Sequence, residues 1–183
     1  MLWGGHAGSL ELRSDGGETR LTARFPYGRE TEIAAGRHEV IAPRAFRARI
    51  EAGGDIHLLA GHDFNRPLAS RSAGSLTLTD GDDALMIDAR IDLSTSWARD
   101  FIEANRAGLI RGLSPGFRVS QDGERIERRG NGILRTIAAA DLFELSAVTR
   151  PAYPDAQIEA RNWQPVAEVA ASLVTHHLNR WRL

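Results

Sequence analysis

The sequence between residues 9 and 148 consists mainly of short segments in which apolar and polar residues alternate, and this feature restricts the fold more than any other. The clearest case is a predicted hairpin, in which residues 76–79 and 85–91 alternate on either side of an Asp80-Gly81 turn. Regular crossover helices do not separate the predicted strands. We therefore expect a mainly β fold with helices, of the α+β class, built as a small antiparallel barrel or sandwich rather than a parallel α/β sheet. Further strands are predicted within residues 9–42, 56–60, 109–113, 117–119, 133–137 and 142–148.

Helical spacing of apolar residues occurs at three places. A short helix is predicted after Pro43, and it stops at Gly53-Gly54. A longer helix with a single apolar face is predicted after N-cap candidates at residues 92–96, and it ends near Gly108. The third helix is predicted from Pro165 to the C-terminal end of the sequence.

A length of 183 residues corresponds to about one domain. Pro151 and Pro154 close the predicted β body. We therefore assign residues 1–161 to one domain and residues 162–183 to a C-terminal helical tail.

The composition excludes several kinds of chemistry. All 23 residues of the Lys+Arg total are Arg, and Cys is absent. A thiolate nucleophile, Cys-ligated zinc, a Schiff base and a phosphate-loop lysine are therefore ruled out, which leaves Ser, Thr, His and carboxylates. The net charge of -1 gives no overall attraction to nucleic acid or an anionic membrane. With no signal peptide or long apolar stretch in the sequence, we expect a soluble intracellular protein.

The segment Gly112-Leu113-Ser114-Pro115-Gly116 matches the G-x-S-x-G pattern of the α/β-hydrolase nucleophile elbow. In that elbow the residue after Ser donates a backbone N–H to the oxyanion hole, which Pro115 cannot do. The elbow also leads into a helix, whereas residues 116–120 alternate like a strand. An elbow is therefore a poor interpretation, and Ser114 is a candidate nucleophile of a different geometry.

Two interior histidines could activate such a serine. His57 is expected to face solvent, whereas His62 lies at a predicted strand end and is free to meet another segment. A third group must orient the imidazole, and Glu144, on a predicted strand face shared with Leu142, Ser146 and Val148, would suit.

Each of these residues also has a purely structural interpretation. Ser114 can be only a turn residue, His62-Asp63 only a loop motif, and Glu144 only a charge on an edge strand. A metal site is less favoured still, because its candidates His57, His62 and Asp63 come from one segment and no second cluster completes them. We expect no metal and no cofactor.

Four blocks of the sequence, taken together, resemble the prohead maturation protease family of tailed phages and gene transfer agents. The resemblance spans about residues 20–161, and the blocks occur in the family's order. They are Val40-Ile41-Ala42-Pro43-Arg44-Ala45-Phe46, Leu58-Leu59-Ala60-Gly61-His62-Asp63 with Pro67-Leu68, Gly112-Leu113-Ser114-Pro115-Gly116-Phe117, and Leu142-Phe143-Glu144-Leu145-Ser146-Ala147-Val148-Thr149-Arg150-Pro151-Ala152-Tyr153-Pro154.

That family is similar to the herpesvirus assemblin proteases, which implies a small β-barrel wrapped by helices and a serine endopeptidase with the catalytic order His, Ser and a third member. Carried over by motif, the resemblance implies that His62 is the general base and Ser114 the nucleophile. Glu144 takes the place of the second His of assemblins as the orienting acid. Asp141 and Asp63 are the alternatives for this third role.

The assemblin resemblance also bears on the oxyanion hole. In assemblins a distant loop containing arginines builds it, so Arg135 or Arg128-Arg129 could supply it here. The sequence departs from the family in two places. Pro67-Leu68-Ala69-Ser70-Arg71 stands where Pro-Leu-Gly-Arg is frequent, and Pro115 replaces a more usual apolar residue.

The resemblance implies cleavage of a major capsid protein or scaffolding protein during prohead maturation, often with self-cleavage. The expected location is the immature capsid in the host bacterial cytoplasm. A homodimer is suggested, with no nucleic-acid or membrane partner. Two hypotheses of other classes stay open: a non-enzymatic capsid-assembly or scaffolding module of the same fold, and a small serine esterase.

Overall fold

The computed structural model describes residues 9–15 and 18–149. Across those residues the chain forms twelve strands and two helices. In chain order they are β1 (Ser9–Asp15), β2 (Glu18–Pro26), β3 (Glu30–Ala34), β4 (Arg37–Ile41), α1 (Arg47–Glu51), β5 (His57–Ala60), β6 (Pro67–Ser70), β7 (Leu76–Asp80), β8 (Ala84–Ile91), α2 (Ser96–Arg106), β9 (Gly112–Val119), β10 (Glu124–Arg129), β11 (Gly132–Ile137) and β12 (Ala140–Val148).

The strands form three four-stranded sheets. Sheet A has the order β1-β2-β8-β7, sheet B the order β10-β11-β4-β3, and sheet C the order β6-β5-β12-β9. The mainly β, α+β prediction is confirmed, but the described strands do not pair into the expected closed barrel. The purely antiparallel prediction is also wrong, because β4 pairs with β11 and β5 with β12 in parallel. Parallel partners need a long connection, and here the rest of the body supplies it.

Local patterns predicted most of the elements. The Asp80-Gly81 hairpin is confirmed, since β7 and β8 pair antiparallel up to Asp80 opposite Leu85. The two strands predicted at residues 109–113 and 117–119 are instead one strand, β9, which begins only at Gly112.

Two strands were not predicted from the sequence, and both lie at sheet edges. β6 begins at a proline, which edge strands tolerate because the outer side of the strand needs no N–H donor. β10 has the sequence Glu-Arg-Ile-Glu-Arg-Arg, in which charges replace the apolar alternation. Charged edges of this kind discourage pairing with another chain.

Both helices predicted within the body are present, and α2 packs Phe101 and Ile102 into the core. The helix predicted from Pro165 lies outside the described residues. The core takes side chains from all three sheets and from α2, and its largest fully buried members include Leu21, Leu85 and Leu145. No helix in the described part of the chain is long and apolar enough to cross a membrane.

Candidate active site

Sheet C brings the three predicted site residues onto neighbouring strands. Glu144 is on the central strand β12, Ser114 is on β9 on one side, and His62 follows the end of β5 on the other side. The register sets Ser114 directly opposite Ser146, two residues beyond Glu144. Directly opposite residues of an antiparallel pair share a face of the sheet, so Ser114, Glu144 and Ser146 lie on one face.

A β-bulge in β12 changes the face of sheet C on which its side chains lie. Leu142 pairs with Phe117 and Glu144 pairs with Gly116, so Phe143 is an extra residue without a counterpart on β9. Strict alternation predicted that Leu142 and Glu144 share a face. That prediction is wrong, because the bulge leaves Leu142 in the core and turns Glu144 to the opposite face.

His62 and Glu144 form a short, buried contact. The Nδ1 atom of His62 lies 2.7 Å from Oε1 of Glu144, and the two side chains are 19% and 4% exposed. An ionised carboxylate only accepts hydrogen bonds, so this contact favours the imidazole tautomer with its proton on Nδ1. The other ring nitrogen, Nε2, is then the one that can take a proton.

The backbone at His62 is in the left-handed conformation, with φ of 62° after Gly61 with φ of 70°. Residues other than glycine seldom adopt this conformation, and where they do they are often found at functional sites. Two hydrogen bonds to β12 hold the segment: Gly61 N–H donates to the carbonyl of Ala147, and His62 N–H donates to Oγ of Ser146.

Ser146 is the site residue that sequence reasoning missed. Its hydroxyl donates to Oε2 of Glu144 at 2.6 Å and accepts the His62 N–H at 2.9 Å, and the residue is fully buried. Its position two residues after Glu144 was a usable signal, because that spacing puts both side chains on one face of a strand. We call His62, Glu144 and Ser146 the site cluster.

Gly116 makes room for the Glu144 carboxylate. A Cβ atom at residue 116 would clash with Oε1 and would lie 2.7 Å from Cδ of Glu144. The last glycine of the G-x-S-x-G segment is therefore required by the carboxylate on the neighbouring strand, not by a turn. The whole segment lies in the continuous strand β9, which agrees with the rejection of a nucleophile elbow.

The alternatives for the third role have other partners. Oδ1 of Asp63 accepts the N–H of Asn65, and its Oδ2 lies 3.3 Å from Nε of Arg66. Asp141 lies 3.5 Å from the guanidinium of Arg118. Of the three carboxylates, Glu144 is the one that the structure brings to His62.

His57 does not join the site cluster. It is half-buried on β5, and its Nε2 atom lies 3.5 Å from Asp55. Among the described residues no group of three or more His, Asp or Glu side chains could hold a metal ion.

Residues 9–169 match the model of one family, described as caudovirus prohead serine protease. The chain belongs to that family. No curated protein and no solved structure matches the chain, so the similarity to herpesvirus proteases stays a prediction.

In this prohead serine protease, the arginines considered for the oxyanion hole are on sheet B rather than sheet C. Arg135, on β11, has a 4% exposed side chain and lies 3.0 Å from Oε2 of Glu39, while its Nε donates to Glu124. We call Arg135, Glu39 and Glu124 the arginine cluster. Arg128 and Arg129 are exposed on the edge strand β10, and Arg129 pairs with Glu30.

Proposed function

We propose that this chain is a serine endopeptidase in which Ser114 is the nucleophile, His62 the general base and Glu144 the orienting acid. The observation that carries the proposal is the 2.7 Å contact between His62 and Glu144 on the face that also holds Ser114. A serine, an imidazole and a carboxylate are the parts that acyl transfer needs.

The reaction follows from the tautomer of His62. Nε2 accepts the hydroxyl proton of Ser114 while Oγ bonds to the carbonyl carbon of a peptide, and Glu144 stabilises the resulting imidazolium. The carbon–nitrogen bond then breaks as Nε2 returns the proton to the leaving amine, which leaves an ester on Ser114. A water molecule, deprotonated by Nε2, hydrolyses the ester and restores the serine.

Ser114 is a better nucleophile candidate than Ser146. The hydroxyl proton of Ser146 is donated to Glu144, its oxygen accepts the N–H of His62, and the residue has no exposed surface. Ser114 is 8% exposed, against 0% for Ser146. The nucleophile is therefore assigned to β9.

We assign the substrate from the family, since a prohead serine protease acts during capsid maturation. The proposed substrate is the major capsid protein or the scaffolding protein, cleaved inside the immature capsid, together with self-cleavage of the chain. A homodimer stays a prediction from the resemblance.

The test is co-expression of the full chain with its capsid and scaffolding proteins, followed by intact-mass measurement of each protein. We expect wild type to shorten the substrate and Ser114→Ala to leave it at full length. Ser120→Ala, directly after the far end of β9 and half-buried, is the matched control and should process like wild type.

The same experiment separates the other hypotheses. Processing by Ser114→Ala at the wild-type rate would disprove the nucleophile assignment. A scaffolding module predicts full-length substrate with wild type too. A small esterase predicts rapid hydrolysis of an activated ester with the capsid protein left intact.

A further inference from the structure

We propose that Ser146 is a positioning residue for the reaction proposed above, on which this inference rests. Its hydroxyl fixes the Glu144 carboxylate and the His62 backbone in one geometry, so that the imidazole is held with Nδ1 on the carboxylate. Ser146 touches neither substrate nor the reacting atoms in this scheme, and it acts through its two partners.

Both oxygens of the Glu144 carboxylate are held by hydrogen bonds within the site cluster. Glu144 has two carboxylate oxygens, of which Oε1 meets His62 Nδ1 and Oε2 accepts the hydroxyl of Ser146. A carboxylate held at both oxygens cannot rotate about its last torsion without losing one of them. Ser146 therefore fixes the orientation of the oxygen that His62 uses.

Ser146 also holds the backbone of His62. The His62 φ of 62° is unfavourable for a residue with a Cβ atom, and its N–H is bonded to Ser146 Oγ at 2.9 Å. The same hydroxyl thus stabilises the turn that carries the imidazole and orients the carboxylate that the imidazole meets. Loss of the hydroxyl releases both at once.

The hydrogen bonds between Ser146 and its two partners are buried. Ser146 has no exposed surface and Glu144 is 3% exposed, so water does not readily replace a missing hydroxyl. A hydrogen bond to a charged, buried group is among the stronger ones in proteins. This makes a hydroxyl at residue 146 a requirement for the geometry rather than a minor packing choice.

The experiment measures how fast a fluorophosphonate labels Ser114 in the full chain, since this rate reports nucleophile activation without knowledge of the cleavage site. For Ser146→Ala we expect the maximal labelling rate to fall by about 10- to 100-fold, with the half-saturating probe concentration nearly unchanged. Ser75→Ala is the matched control, because Ser75 Oγ also accepts a backbone N–H, that of Ser70 at 3.0 Å, and Ser75 is not a member of the site cluster. It should label like wild type.

A pair of variants with equal side-chain volume covers the case in which Ser146→Ala does not fold. Ser146→Thr keeps the hydroxyl and Ser146→Val replaces it with a methyl group, and both are β-branched residues suited to a strand. We expect Ser146→Thr to label at least about ten times faster than Ser146→Val. Equal rates for the two would overturn the positioning role.

A double variant tests whether Ser146 acts through Glu144. If it does, Glu144→Gln with Ser146→Ala should lose less than the product of the two single losses, because the carboxylate that Ser146 orients is already gone and only the bond to the His62 N–H is left to lose. Multiplication of the two losses would instead indicate an independent, structural role.

Different results would disprove the proposed function and this inference. Labelling of Ser114→Ala would disprove the proposed function, whereas a wild-type labelling rate for Ser146→Ala would disprove only this inference.

Discussion

Two buried carboxylate clusters in this molecule differ in the partner that each carboxylate meets. In the site cluster the partner is an imidazole, whereas in the arginine cluster it is a guanidinium. The carboxylates of Glu144 and Glu39 are similarly buried, with side chains 4% and 12% exposed. Burial of a carboxylate is therefore not what distinguishes the proposed catalytic cluster from a structural ion pair.

The difference lies in whether the partner can exchange a proton near neutral pH. A guanidinium stays charged in proteins, so Arg135 can balance Glu39 but cannot pass a proton to a substrate. An imidazole changes its charge in the physiological range, so it can balance a carboxylate and can also pass on a proton. Substitutions that remove or move one group at a time test this division.

The largest expected effect is on the arginine cluster. Arg135→Ala leaves Glu39 buried beside Glu124 without the guanidinium, and breaking a buried ion pair in this way typically costs about 3–5 kcal/mol of stability. We expect that loss in the free energy of unfolding measured with urea. The labelling rate of Ser114 in the folded fraction should stay within about threefold of wild type.

The matched control for this variant is Arg106→Ala. Arg106 pairs with Glu103 on the exposed side of α2, and such surface pairs contribute about 0–1 kcal/mol. A loss below about 1 kcal/mol for Arg135→Ala as well would mean that the arginine cluster is no more important than a surface pair.

The division between the clusters was only partly predictable from the sequence. His62 was expected at a strand end, and it follows the end of β5; Glu144 was expected on a strand that also carries Ser146, and β12 has both. Each of these predictions used a local pattern over a few residues. Local patterns do not identify the partner strand, so the parallel pairing of β5 with β12 was not predicted.

The bulge at Phe143 was hidden for a related reason. Residues 142–148 alternate well enough to be interpreted as one regular strand, and an extra residue without a counterpart is visible only when β9 is set beside β12. The arginine cluster was missed because Arg135 and its partners come from three strands. Arg135 is directly opposite Glu39 in the register of β11 and β4, a long-range pairing that the sequence does not show.

The second prediction moves the carboxylate of the site cluster without removing its charge. In Gly116→Ala the new methyl group occupies the space of Glu144 Oε1, so the carboxylate must turn away from Nδ1 of His62. We expect the fluorophosphonate labelling rate to fall by about 10- to 100-fold, the equivalent of one strong hydrogen bond to a charged group.

Gly123→Ala shows what a glycine substitution against the backbone does instead. A Cβ at residue 123 would clash with the carbonyl of Ala139, on the connection between β11 and β12, and we expect this variant to lose mainly stability. A labelling rate for Gly116→Ala equal to that of wild type would show that the position of the carboxylate is not critical to the site.

The smallest effect is a pH dependence of the arginine cluster. Burial raises the pKa of Glu39, and the nearby Arg135 guanidinium only partly opposes this. The folded state therefore keeps the Glu39 proton at pH values where the unfolded chain, with a pKa of 4.5, has released it. Stability from this group is present below pH 4.5 and is lost as pH rises through the folded-state pKa. Glu39→Gln removes the titration and keeps an oxygen for Arg135, so wild type should gain stability relative to this variant as the pH is lowered from neutral to 4.5. Thermal unfolding of both proteins at constant ionic strength measures the difference.

Glu51→Gln, at an exposed ion pair with Arg47 on α1, is the control, and it should change the unfolding free energy by no more than about 0.5 kcal/mol. A wild-type advantage that grows with rising pH would mean that attraction to Arg135 outweighs burial, and that the arginine cluster stabilises the ionised carboxylate as the site cluster is proposed to do.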